Sequence, residues 1–199
     1  MIARLPRTFF LRTDVVRIAQ DLLGKVLVTE FQGLRTSGII IETEAYAGAT
    51  DRASHAFGNR LTERTRTMYL EGGHAYVYLC YGMHHLFNVV THRSGVPHAV
   101  LIRAIAPLEG VEQMQRRRGG SPLRTGGPAL LTTALGITTR HTGLDLCNGP
   151  ISVEDHGLRI GRRAILSGPR VGVDYAGEDA LLPYRFRIAP SHLRSWRTP

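Results

Sequence analysis

Lysine is almost missing from this chain. Lys25 is the only one, although 25 basic residues against 16 acidic ones leave a formal charge of +9. Chemistry through a lysine amine therefore has one candidate, and Lys25 opens an apolar run directly after Gly24, where a structural role is expected. Cysteine is scarce as well. Cys80 and Cys147 lie far apart and form no CxxC, which argues against a disulfide framework or a cysteine zinc site and suits a reducing cytoplasm. A single Cys80–Cys147 bridge stays open at this point. No window approaches the roughly 18 uninterrupted apolar residues of a membrane-spanning helix. The opening stretch MIARLPRTFFLRTD is basic but has neither a long apolar region nor a small-residue cleavage site, so no secretory signal is expected. The H-x-E and P-C-x-x-C of zinc nucleobase deaminases, HExxH, the Walker A loop and GxGxxG are all absent. His84 and His85 are adjacent, and adjacent strand residues face opposite ways, so they make a poor metal pair. No metal and no cofactor are expected.

What is present is arginine. The excess charge, with a sequence pI near 10.4, points to a polyanionic partner, nucleic acid before an acidic membrane surface. A length of 199 residues suits one domain, 1–199. Thr13 to Gly24 reads as a helix capped by Thr13 or Asp14, and Lys25–Phe31 as a strand. Gln32-Gly33 reads as a turn, and Thr36–Tyr46 as an antiparallel return. Residues 50–70 read as loop with a short helix. Ala75–Cys80 and His85–Thr91 form a second hairpin, and Ala99–Ile105 a further strand. Leu108–Arg118 and Pro128–Leu135 read as helices around a Gly/Pro/Ser-rich loop at Gly119–Gly127, followed by short strands near 151–155, 162–167 and 184–188. Hairpins interspersed with helices give an α+β fold, one compact domain with a mostly antiparallel sheet.

Three segments carry chemistry. In Glu42-Thr43-Glu44-Ala45-Tyr46, alternation puts Glu42, Glu44 and Tyr46 on one strand face, behind an apolar run. A carboxylate beside apolar walls can act as a general base, or these are two solvated acids at a strand end. In Ala75–Met83, Tyr76, Tyr78 and Cys80 share a face. With Tyr46, the two tyrosines could stack a planar base, or they pack inside as an ordinary aromatic strand. Tyr81-Gly82 falls at the hairpin turn, where an aromatic can wedge between bases. Arg103 ends an apolar strand and could pair with Glu42 or Glu44, or hold a phosphate or a water.

Taken in order, these segments resemble the alkyladenine (3-methyladenine, or methylpurine) DNA glycosylases. The resemblance also includes Leu22–Val28, Ser54-His55, Tyr81-Gly82-Met83, Asn88, Pro107–Gly110 and Arg170–Val173 with Ala176-Gly177. It implies that Glu44 deprotonates a water attacking C1′ of a flipped nucleotide, and that Arg103 holds that water beside a phosphate. Tyr46, His55 and Tyr78 would enclose the base, the His55 backbone would address the purine six position, and Tyr76 would support His55. Asn88 would crowd the amine of normal guanine. Tyr81 would fill the gap in the duplex from a protruding, DNA-inserting hairpin, with Met83 near its tip. Three positions depart from the family pattern. His84 follows Met83 where an aromatic is common, the Gly127–Leu131 stretch lacks a lysine, and Thr65 stands at a common asparagine.

The resemblance further implies a monofunctional base-excision enzyme acting on damaged DNA: a cytoplasmic, nucleoid-associated monomer with no membrane and no obligatory protein partner. Two other classes share some of these features. A non-catalytic nucleic-acid module would share the charge and the tyrosines, but would have no use for Glu44 beside Tyr46. A small-purine-binding domain would leave Tyr81 and the arginine excess without a purpose.

Overall fold

The computed structural model describes residues 2–120 and 122–194, so Ser121 of the expected loop and residues 195–199 lie outside it. A two-residue strand β1 (Ala3–Arg4) and a single helical turn α1 (Arg7–Phe10) precede α2 (Val15–Asp21). Asp14 caps α2 by accepting from the Arg17 N–H at 2.9 Å. The helix is shorter than the Thr13–Gly24 reading because the chain already turns at Leu22–Gly24, ending on Gly24 at φ 83°, to enter β2 (Val26–Phe31). Gln32 and Gly33, at φ 54° and 75°, make a two-residue hairpin turn into β3 (Leu34–Tyr46).

Residues 48–69 contain three short 3-10 turns in place of the expected short helix. The second hairpin is formed by β4 (Ala75–Cys80) and β5 (His84–Thr91). Strand β6 (His98–Glu109) follows, then helices α3 (Val111–Arg118) and α4 (Pro128–Leu135). Leu108 and Glu109 were expected in α3 but extend β6. Glu109 is tied across to β3, accepting from Arg35 Nε at 2.9 Å and Ser37 Oγ at 2.8 Å, and the helix starts only after Gly110. The chain ends in β7 (Ile151–Asp155), β8 (Ile165–Gly168), β9 (Arg185–Ile188) and α5 (Pro190–Arg194). Residues 162–164 form a 3-10 turn before β8.

The strands run β1-β7-β2-β3-β6-β5-β4, with β9 joining β3 and β8 joining β9, and every pairing is antiparallel. Strand β3 is the spine. One edge pairs with β6, while the other pairs with β2 over its first half and with β9 at Glu42–Glu44. One sheet face meets the main core, with Ile18 on α2 and Leu22 at its end, Ile40, Phe87, Ile102 and Ile105 on the strands, and Leu131 and Leu135 on α4. Alternation sends Ala75 and Val77 of β4 into that core and Tyr76 the other way, into a second cluster with Met68, Val90 and Ala99. The loops of residues 48–69 cover this second cluster, and the candidate site lies there. No helix among the described residues is long and apolar enough to cross a membrane.

Candidate active site

Glu44 sits opposite Leu101 in the β3–β6 ladder, where the sheet is buried on both faces, and its side chain has 0% of its surface exposed. Three donors hold it. Tyr46 Oη donates to Oε2 at 2.8 Å, the Val171 N–H donates to Oε1 at 2.9 Å, and an Arg103 Nη1 lies 3.2 Å from Oε1. A carboxylate offers about four lone-pair directions, two on each oxygen. Each oxygen thus accepts one hydrogen bond, Oε1 lies against the Arg103 charge as well, and acceptor capacity remains for a further donor such as water.

Arg103 reaches the acids through a bulge. Glu42 pairs with Ala104 and Thr43 with Ile102, so Arg103 has no Cα partner on β3. Its Nε donates to Glu42 Oε1 at 3.0 Å, and Arg185 Nε donates to the same oxygen at 2.6 Å. The alternation that put Glu42, Glu44 and Tyr46 on one face holds, and the two open choices for Arg103 resolve into an ion pair with both acids. Behind Tyr46, Arg170 is buried against Asp51 (Nη2 to Oδ1 at 2.9 Å), with its guanidinium carbon 4.9 Å from the Tyr46 ring centroid. Burial first, and the Glu44 charge second, hold the Tyr46 phenol well above its usual range, so it is a donor to Glu44.

Above this floor lies a cleft of about 560 Å³, lined by Tyr46, His55, Tyr76, Tyr78, Asn88 and Arg103 together with the hairpin residue Tyr81. Met83 is not part of its wall. The His55 Nδ1 lies 2.9 Å from Tyr76 Oη, and Arg64 Nη2 lies 3.2 Å from His55 Nε2. A guanidinium only donates, so Nε2 accepts and Nδ1 carries the proton that goes to Tyr76. Burial, then Arg64, then Arg60 lower the His55 pKa to about 4, which keeps the ring neutral. Burial pushes the Tyr76 phenol up to about 12 and that of Tyr78 higher still. The aromatic rings of the cleft are thus neutral, and Arg64 and Arg103 are the charged residues that line it. Tyr76 and Tyr78 have ring centroids 5.5 Å apart. The His55 backbone N–H has no partner among the described residues. Asn88 is buried, with its Nδ2 donating to the Tyr76 carbonyl at 3.1 Å.

The hairpin turn is a three-residue loop between Cys80 and His84. Tyr81 sits at φ 51° and is 90% exposed, and Met83 is 69% exposed. Both cysteines are free thiols, so no bridge links Cys80 to Cys147. Among the described residues no three His, Cys, Asp or Glu side chains are grouped to hold a metal ion.

Four contributors have no role in the sequence reading. They are the Val171 backbone, Arg170, Arg64 and Tyr175. Val171 and Arg170 stand in a segment that matches the family pattern, which was the available signal. Arg64 and Tyr175 carry none, because they come together only through loop packing.

The model of the methylpurine-DNA glycosylase (MPG) family matches residues 8–192. The chain belongs to this family. A protein of Chlamydia felis named "Putative 3-methyladenine DNA glycosylase" is 48% identical over 188 residues, covering 92% of this chain and 95% of the relative. Proteins with the same name from Clostridium novyi and Methanocella arvoryzae are 40% and 45% identical, over 94% and 98% of this chain and 96% and 97% of their own. The family's members are DNA repair enzymes, hydrolases acting on the N-glycosidic bonds of DNA.

Proposed function

We propose that this chain is a monofunctional glycosylase. It extrudes alkylated or deaminated purines (3-methyladenine, 7-methylguanine, ethenoadenine, hypoxanthine) from DNA and hydrolyses their glycosidic bond to leave an abasic site. The observation that carries this reading is one buried carboxylate, Glu44, held directly beneath an aromatic-walled cleft by three residues that line it, Tyr46, Arg103 and Val171.

The flipped purine lies between Tyr46, His55 and Tyr78, and extrusion costs a few kcal/mol, less for a poorly paired lesion. The His55 N–H addresses the six position, and Asn88 crowds the amine of normal guanine. Glu44 has no exposed surface, so water reaches it when Arg103 turns from Glu44 to a phosphate of the incoming strand while keeping Glu42. Water then attacks C1′ and its proton passes to Glu44. The C1′–N bond breaks, and its electron pair leaves with the base. The negative charge of Glu44 also stabilises the oxocarbenium-like state. A cationic methylated purine leaves as a neutral base, so for such lesions the leaving group itself supplies much of the driving force. Tyr81 fills the vacated stack, and Met83 lies against the minor groove.

The test is release of free base from duplexes carrying each of the four lesions, read against undamaged DNA. Release with an intact abasic strand supports the reading, and no release from any of the four overturns it.

A further inference from the structure

We propose that a second cleft, on the other side of His55, binds a backbone phosphate of the strand next to the extruded nucleotide, held by Arg52 and Arg60. The inference rests on the glycosylase reading above. This cleft holds about 370 Å³ and is lined by Arg52, Arg60, Arg64 and Thr62, and it shares His55, Ser54, Arg64 and Tyr175 with the base cleft. The two spaces are therefore neighbours across one histidine ring, the kind of separation that a nucleotide in one space and its flanking phosphate in the other require.

The charges in this cleft are left over. Elsewhere the site's arginines are matched: Arg103 by Glu42 and Glu44, Arg185 by Glu42, and Arg170 by Asp51. Three acids of the segments around this cleft are already engaged. Asp51 serves Arg170, Glu63 pairs with Arg66 at 3.0 Å, and Asp179 Oδ2 accepts from the Arg52 backbone N–H at 2.8 Å. The guanidinium groups of Arg52 and Arg60 have no ion pair and no acceptor among the described residues, and both residues are exposed. The Arg60 charge is felt at His55, where it contributes, after burial and Arg64, to the lowered pKa. Unmatched arginine forks in a concave site suit phosphate oxygens. The opening onto the base cleft makes a phosphodiester the anion at hand.

The experiment measures binding of a lesion-bearing duplex by an Arg52→Gln/Arg60→Gln double variant across a salt series. Log affinity should fall less steeply with log salt than for the unaltered protein, by about one for each charge removed. At low salt the affinity should drop by about tenfold or more, with an unchanged melting curve. A control, Arg162→Gln/Arg163→Gln, removes the same charge from the turn before β8, where Arg162 lines a separate cleft beside Lys25, and should change affinity by less than about threefold. A methylphosphonate is then placed in turn at each phosphate flanking the lesion. At one position its penalty should largely vanish in the double variant, because each partner has already lost the other. Equal effects of the two doubles, or full additivity at every phosphate, overturn the site. If the unaltered protein excises no lesion, the glycosylase reading fails instead, and base release reports that independently of binding.

Discussion

Tyr46 donates to Oε2 of Glu44 at 2.8 Å from two residues along the same strand, so one side chain both faces the cleft and orients the carboxylate beneath it. Glu44→Gln should lower the single-turnover excision rate by about 10²–10⁴ with lesion binding largely kept. Glu42→Gln should be milder, because Glu42 tethers Arg103 and Arg185 from outside the cleft floor. Tyr46→Phe keeps the ring and removes one charge-assisted hydrogen bond, worth about 1.5–3 kcal/mol, so excision should slow by roughly ten- to a hundredfold. A dead Glu42→Gln beside an active Glu44→Gln would show the catalytic assignment to be wrong.

His55 should make the fold sensitive to mild acid. Its pKa is lowered from 6.5 to about 4 in the folded chain, by burial first and by Arg64 and Arg60 next. The unfolded chain therefore takes up a proton that the folded one refuses. Stability is full above about pH 6.5 and falls as pH drops towards 4, with a slope of up to about 1.4 kcal/mol per unit from this group. Urea unfolding of the unaltered protein and of His55→Gln across this range isolates the difference, since other histidines cancel. Parallel pH profiles would refute it. In Arg64→Gln the His55 ring, followed by NMR, should titrate higher but still below 6.5, because burial remains the larger cause.

Tyr81→Ala should leave the melting temperature within about 1 °C, because a ring 90% exposed contributes almost no packing. Excision from duplex DNA should still fall by roughly five- to a hundredfold, reflecting stacking worth about 1–3 kcal/mol per base. Excision from single strands should change less, since no paired stack has to be refilled. Equal losses on both substrates would remove the wedge role.

Borohydride trapping on lesion DNA should yield no covalent adduct. Lys25 is 8% exposed, its Nζ lies 2.7 Å from Asp155 Oδ2, and it lines a different cleft from Glu44. That pairing, first among the causes, holds the Asp155 carboxyl well below its usual range. Lys25→Ala should therefore destabilise the fold and leave the trapping result blank. An abundant adduct lost in that variant would mean amine catalysis.

The residues themselves determined much of this protein. Period-two alternation in Glu42–Tyr46 and Ala75–Cys80 placed two acids and three tyrosines on defined strand faces, because that period is a property of extended backbone. Gly33 and Gly82 marked the hairpin turns through glycine's tolerance of positive φ. The ordered motifs carried the family. Tertiary structure decided the rest. The end of β6 at Leu108–Glu109 follows from a cross-strand tie of Glu109 to Arg35 and Ser37, partners 74 and 72 positions away that local propensity does not see. The aim of Arg103 depends on a bulge between two strands, which neither strand encodes alone. The third donor to Glu44 is a backbone N–H from Val171, and main-chain groups leave no mark in residue type. The state of His55 is set by Arg64 and Tyr76, brought together only when an irregular loop folds over the sheet, because pair energies depend on distance in space and sequence records only distance along the chain.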